Sequence, residues 1–208
     1  MGLRENEGYF SQARVVPVLT PASVASGVAL SRVLFDAGLR MQEITLRTAA
    51  GLDTIAALKQ QIPELIVGAG SVLTPEMAEL AIRAGARFLV SPGTTEALLQ
   101  FAENCALPFL PGVAIVSEMM HLQAVGCTTA KLFPAEPLGG VAFLRSVAGP
   151  LPSMRFCPTG GIDAELAREY LQLPNVLSVG GTWIASNKLV AENRFEDIRR
   201  LAEQAAAL

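Results

Sequence analysis

Alternation constrains this chain more than any other feature. Short β-branched or apolar runs give way to Ala- and Leu-rich stretches, then to glycine or proline, then to the next run. Candidate strands cover residues 14–19, 42–46, 65–69, 88–91, 108–111, 130–133, 155–158 and 176–179. Several lack polar alternation, as parallel strands buried on both faces do. Between them lie apolar stripes with helical spacing: Val24, Val28, Leu30 and Leu34; Met77, Leu80 and Ala81; Leu166, Tyr170 and Leu171. Thr74 before Pro75, Ser117 before Glu118 and Asp163 before Ala164 read as helix N-caps, and Gly38, Gly85 and Gly126 as helix stops. The stops recur about every 18–25 residues, the length of a strand plus its crossover helix.

Eight such units in 208 residues fit a single (β/α)8 TIM barrel, near the lower limit of about 200 residues for that fold. The expectation is therefore one α/β domain spanning residues 1–208, with residues 1–12 forming an extra N-terminal helix under the barrel. A doubly wound open sheet is the alternative, since it needs no eighth strand.

Composition removes several classes. Apolar residues make up 51% and charged residues 17%, which excludes a disordered chain. Sixteen basic against 19 acidic residues give a net charge of −3, so a broad basic surface for nucleic acid is not expected. The longest uncharged stretch, 170–187, contains Pro174, Gly180 and Gly181 and does not read as a membrane span. The first residues lack the apolar core of a signal peptide. A soluble, cytoplasmic protein is expected. Cys105, Cys127 and Cys157 read as buried thiols of a reducing compartment, and the single histidine, His121, excludes a His-rich metal site.

In a barrel, chemistry sits at the C-terminal ends of the strands. Lys131 interrupts an apolar run there and shares a face with Thr129 and Phe133. A lysine in such surroundings is held toward the neutral, nucleophilic amine; a structural ion pair is the competing reading. Glu43, Thr45 and Arg47 likewise alternate onto one face, with Ile44 and Leu46 toward the helices. Glu43 could move protons and Arg47 could hold a carboxylate. The alternative is a Glu43–Arg47 ion pair. Gly160-Gly161 and Gly180-Gly181-Thr182 follow the last two strands, where glycine loops form phosphate cups.

These residues carry a resemblance. Val16-Pro17-Val18, Glu43-Ile44-Thr45-Leu46-Arg47-Thr48, Gly68-Ala69-Gly70-Ser71-Val72-Leu73, Ser91-Pro92-Gly93, Pro111-Gly112, Lys131-Leu132-Phe133-Pro134-Ala135-Glu136 and Phe156-Cys157-Pro158-Thr159-Gly160-Gly161-Ile162 occur in family order. The chain resembles the class I family of 2-keto-3-deoxy-6-phosphogluconate (KDPG) and 4-hydroxy-2-oxoglutarate (KHG) aldolases. The resemblance implies that Lys131 forms a Schiff base with the substrate ketone and Glu43 shuttles protons. It implies that Arg47, Ser71 and the backbone at Pro92 hold the pyruvate carboxylate, and that Phe133 packs on the pyruvyl methyl. Thr159 would contact the substrate chain, and Gly160, Gly161, Gly181 and Thr182 would bind the phosphate.

The implied reaction is cleavage of KDPG to pyruvate and D-glyceraldehyde 3-phosphate in the Entner–Doudoroff pathway, by a homotrimer with no cofactor and no metal. Ser71, Leu132 and Thr182 stand where threonine, phenylalanine and serine are common; Ser71 and Thr182 keep the hydroxyl. Preference for KHG or for the galactonate epimer is the nearest rival. A metal-dependent pyruvate aldolase, a phosphosugar isomerase and a non-catalytic phosphosugar-binding protein are further alternatives.

Overall fold

Every strand pairing among the described residues is parallel, so paired strands must be joined by crossovers, and the helices supply them. The computed structural model describes Leu3 and residues 6–208. In chain order the elements are α1 (Asn6–Phe10), β1 (Val15–Leu19), α2 (Val24–Asp36), β2 (Met41–Thr45), α3 (Ala50–Gln61), β3 (Ile66–Gly70) and α4 (Pro75–Ala84). There follow β4 (Leu89–Val90), α5 (Glu96–Glu103), β5 (Phe109–Leu110), β6 (Gly112–Val113), α6 (Val116–Ala124), β7 (Thr129–Leu132) and α7 (Gly140–Ala148). The chain ends with β8 (Arg155–Phe156), α8 (Ala164–Tyr170), β9 (Val179–Gly181), α9 (Asn187–Ala191) and α10 (Phe195–Ala206).

The fold is α/β, built on a curled parallel sheet. Six strands run in the order β5-β4-β3-β2-β1-β9, and three more in the order β6-β7-β8. The expected fifth strand, 108–111, is divided: β5 and β6 lie on either side of Pro111, whose ring leaves no N–H for a ladder. Single bridges, Phe156 to Val176 and Thr159 to Gly180, connect the β8 segment with the β9 segment.

Helix punctuation largely follows the residues. The Thr74 hydroxyl accepts from the Met77 N–H, Pro75 opens α4, and Gly85 closes it at φ 106°. Asp163 caps α8 through the N–H groups of Glu165 and Leu166. Ser117 does not cap α6. That helix starts two residues earlier than such a cap would allow, after Ile115, and the Glu118 carboxylate takes up the N–H groups of Ala114 and Ile115. Leu80, expected on the buried stripe of α4, is exposed; Ala78 and Ala81 make the contact face.

The last strand is also displaced from 176–179 to 179–181. Val15, Val16 and Pro17 pair with Val179, Gly180 and Gly181, so the glycines are strand and not loop. A side chain on Gly180 would collide with Thr159, and one on Gly181 with Trp183. Absence of side chains is what lets this strand fit there.

Two apolar bodies result. One lies between the strands and the helices and includes Leu34, Ile44, Ile55, Leu58, Leu89, Phe109, Ala130 and Phe156. The other fills the inner face of the curled sheet: Val16, Met41, Phe88, Val90, Leu110 and Cys157, closed from beneath by Phe10 with Tyr9 beside it. The Phe10 and Phe88 rings meet edge to face at 5.6 Å. The part of the expected N-terminal helix that lies among the described residues is thus α1, and its aromatic end is the plug. No helix among the described residues is long and apolar enough to cross a membrane.

Candidate active site

Above that plug the inner face turns polar. Lys131, the third residue of β7, is anchored by its own backbone: its N–H donates to the Pro111 carbonyl, and it stands in register with Gly112. Its ammonium donates to Glu43 Oε1 at 3.2 Å and to Oε2 at 3.3 Å. The two side chains are only 4% and 5% exposed. Glu43 comes from the third position of β2, 88 residues away in the chain. Its carboxylate occupies the space beside Gly70 of β3, where a Cβ would collide with it.

Glu43 therefore pairs across the sheet with Lys131. The in-strand Glu43–Arg47 pair that the spacing also allowed does not form. Burying both charges costs several kcal/mol per ion before their attraction is counted, so the pair gives little net stability. The Phe133 ring lies 5.5 Å from the Lys131 nitrogen, within cation–π range.

Arg47 lies just past the end of β2 and is exposed. Its Nε donates to Ser71 Oγ at 2.9 Å, and it makes no ion pair among the described residues. Ser71 holds φ 57°, which turns its hydroxyl off the end of β3. Thr45, the third member of the polar face on β2, is buried, and its hydroxyl lies 2.9 Å from that of Thr20 after β1. The Pro92 carbonyl region presses on Gly112, where a Cβ would strike it. Thr94 donates to the Gly112 carbonyl at 2.6 Å, so the 92–94 segment is held against the strand next to Lys131.

The loop after β8 takes a second set. Thr159 is buried, and its N–H donates to the Leu132 carbonyl. Gly160 and Gly161 adopt φ 107° and 79°, values that favour glycine. Neither N–H has an acceptor among the described residues. At the N-terminus of α8 the Asp163 carboxylate already takes up the N–H groups of Glu165 and Leu166. Thr182 is exposed at the start of a 3-10 turn, Trp183–Ala185, and its hydroxyl makes no capping bond.

Cys157 lies on the inner face below this site. Its Sγ accepts from the Ser178 hydroxyl at 3.2 Å, and burial pushes the thiol up to about 11. His121 is exposed on α6, 3.8 Å from Glu96 and away from the strand ends. Among the described residues no group of three His, Cys, Asp or Glu is placed to hold a metal.

Thr20, Thr94, Glu136 and Tyr170 belong to the surroundings of the site, and the sequence patterns assigned them no role. Glu136 lay inside a recognised motif and Tyr170 inside a helical stripe. Their hydrogen bond crosses 34 residues, which no local pattern reports.

The chain is similar to known proteins over nearly its whole length. Residues 7–201 match the family model described as KDPG and KHG aldolase. A 2-dehydro-3-deoxy-phosphogluconate aldolase of Pseudomonas aeruginosa is 44% identical over 93% of this chain and 88% of its own length. The KHG/KDPG aldolase of Escherichia coli is 40% identical over 96% and 93%. A Legionella pneumophila KDPG aldolase, solved with pyruvate captured as a covalent carbinolamine intermediate, superposes with a TM-score of 0.93. It is 36% identical, and the match covers 97% of this chain and 98% of that one. A family match over nearly the whole chain and relatives this similar end to end lead to one conclusion: the chain belongs to the KDPG and KHG aldolase family.

Proposed function

We propose that this chain is a class I aldolase that reversibly cleaves KDPG to pyruvate and D-glyceraldehyde 3-phosphate. The observation that carries the reading is the buried Lys131–Glu43 pair at the C-terminal end of the strands. A lysine there has one acid within reach to take its proton and an aromatic ring beside it.

Lys131 sheds a proton to Glu43 and its amine attacks the C2 ketone. Glu43 returns that proton to the departing hydroxyl, so the carbinolamine loses water to give an iminium and the carboxylate is free again. That cation draws the electrons of the C3–C4 bond as it breaks, while the C4 hydroxyl gives its proton to Glu43 or to a water it holds. Glyceraldehyde 3-phosphate leaves. The enamine is protonated at C3, and water then releases pyruvate and restores Lys131. The iminium serves as the electron sink, so the scheme calls for neither metal nor cofactor.

Arg47, oriented by Ser71, grips the carboxylate with help from the backbone at Pro92. Phe133 covers the methyl group. Thr159 meets the substrate chain, and Gly160, Gly161, Gly181 and Thr182 receive the phosphate; the unpaired N–H groups of Gly160 and Gly161 support this. The Escherichia coli relative is named for both substrates, and we extend that breadth to KHG here.

The finer architecture belongs to the same reading. We read the curled sheet as a single-domain (β/α)8 barrel; a strand β5–β6 broken at Pro111 and the two bridges at 156 and 159 support this, although the ladders themselves form separate six- and three-stranded sheets. A cytoplasmic homotrimer completes it, with the exposed Ile115, Val116 and Met120 available as a contact face.

Borohydride reduction in the presence of pyruvate, followed by peptide mass mapping, tests the mechanism. A reduced pyruvyl adduct on Lys131 is expected. No adduct, or an adduct on Lys59 or Lys188, would sink it.

A further inference from the structure

Tyr170 is fully buried at the last position of α8, yet it carries a hydroxyl. That hydroxyl donates to Glu136 Oε1 at 2.5 Å. Glu136 opens the 3-10 turn Glu136–Leu138 that follows the Lys131 strand. Its backbone faces the glycine loop: Ala135 N–H donates to the Thr159 carbonyl at 2.8 Å, and Glu136 N–H to the Gly160 carbonyl at 3.0 Å. Its side-chain stem fills the space beside Gly161, where an added Cβ would lie 2.7 Å from the Glu136 Cβ. Its carboxylate sits against Gly140, the first residue of α7, a helix start with no side-chain cap. An acidic group is favourable there.

Glu136 thus joins four pieces: the turn after Lys131, the start of α7, the end of α8 and the 159–161 loop. Three would hold without Tyr170. The carboxylate's orientation would not, because the Tyr170 hydroxyl is its one side-chain hydrogen bond among the described residues. Burial and the neighbouring carboxylate raise the Tyr170 hydroxyl above its usual range, so it remains a donor.

We propose that Tyr170 is a positioning residue, holding Glu136 under the 159–161 loop and so setting how tightly the phosphate end of the substrate is gripped. Tyr170 itself touches no substrate. The proposal rests on the reading that Gly160 and Gly161 receive the phosphate. It predicts an effect confined to phosphorylated substrates, because Lys131, although its strand leads into the Glu136 turn, is anchored by the Pro111 carbonyl and by Glu43 of β2.

The test compares KDPG, which carries the phosphate, with KHG, which does not, in wild type, Tyr170→Phe, Glu136→Ala and Glu136→Gln. Loss of a hydrogen bond to a charged group predicts that Tyr170→Phe raises KM for KDPG about tenfold, with kcat and both KHG constants nearly unchanged. Glu136→Ala should reproduce that split. Glu136→Gln keeps an acceptor for the tyrosine and should stay near wild type. A KDPG KM in Tyr170→Phe equal to wild type, or KDPG and KHG constants that shift together, would overturn the proposal. If the wild type itself bound KDPG no better than KHG, the phosphate reading would fall first, and that outcome is visible before any variant is made.

Discussion

The two ends of the inner face are made by the same strands and do opposite things. Met41 and Glu43 lie two residues apart on β2 and point the same way, about 7 Å apart along the strand. Met41 is sealed among Phe10, Phe88 and Val16. Glu43 is equally inaccessible, but its partner is an ammonium from another strand. At the lower end each large apolar side chain contributes about 1.5–3 kcal/mol of burial. At the upper end the buried ion pair contributes little, because desolvation offsets attraction. One step of the pleat separates the residues that stabilise the sheet from those that would use it. The helix α1 makes this possible by closing the bottom with aromatic rings, so that chemistry is confined to the top.

The comparison breaks most visibly at Lys131. Lys131→Ala should lower kcat by about 10⁴-fold or more and abolish the borohydride adduct, while circular dichroism remains that of a folded protein. Residual turnover near wild type would mean that the polar end is structural after all. At the other end, Phe10→Ala should cost about 3–5 kcal/mol in denaturant unfolding, with kcat per folded molecule unchanged. A fall in kcat without a fall in stability would show that the plug is part of the site.

Two glycines of β3 sharpen the contrast further. A methyl at Gly70 would meet the Glu43 carboxylate, whereas one at Gly68 would meet the Phe88 ring. Gly70→Ala should misplace the acid and reduce kcat about 10²-fold. Gly68→Ala should overpack the plug and cost about 1–3 kcal/mol of stability, sparing kcat. Identical effects from the two would erase the distinction between the ends.

The smallest effect concerns thiols. Burial raises Cys127 and Cys157 from 9.0 to about 11 in the folded chain. Above pH 9 the unfolded chain therefore loses these protons while the folded chain keeps them. The stability they contribute is intact below pH 9 and is lost as pH rises toward 11. Urea midpoints measured from pH 8 to 11 should fall across that window, by less in the Cys157→Ala variant. At pH 8, a thiol reagent should modify Cys105, which is half-buried, well before the other two.

Much of this was legible from residues alone. Most of the apolar strand runs, the caps at Thr74 and Asp163 and the stop at Gly85 are local chemistry, and they formed close to where they were read. Lys131, Glu43 and Arg47 were conspicuous because a charged residue in an apolar strand needs a reason to be there. The failures were local rules overruled by neighbours. Ser117 lost its cap position to Ile115, two residues earlier, where Glu118 serves the backbone. The glycines at 180 and 181 read as a loop and became strand because Thr159 and Trp183 need the space a side chain would fill.

The sequence by itself determined which residues alternate onto which face of each strand, since that depends only on the backbone repeat. It placed Lys131 and Glu43 inside without saying that they would meet, and it carried Arg47 onto the same face although that residue lies past the end of β2 and is exposed. Only the tertiary structure decided that Glu43 turns to Lys131 and leaves Arg47 to Ser71, and that Tyr170 reaches Glu136. These partners are 24 to 88 residues apart in the chain. What brings them together is the register of parallel strands around a curled sheet. That register is set by the packing of the whole chain, and no single segment encodes it.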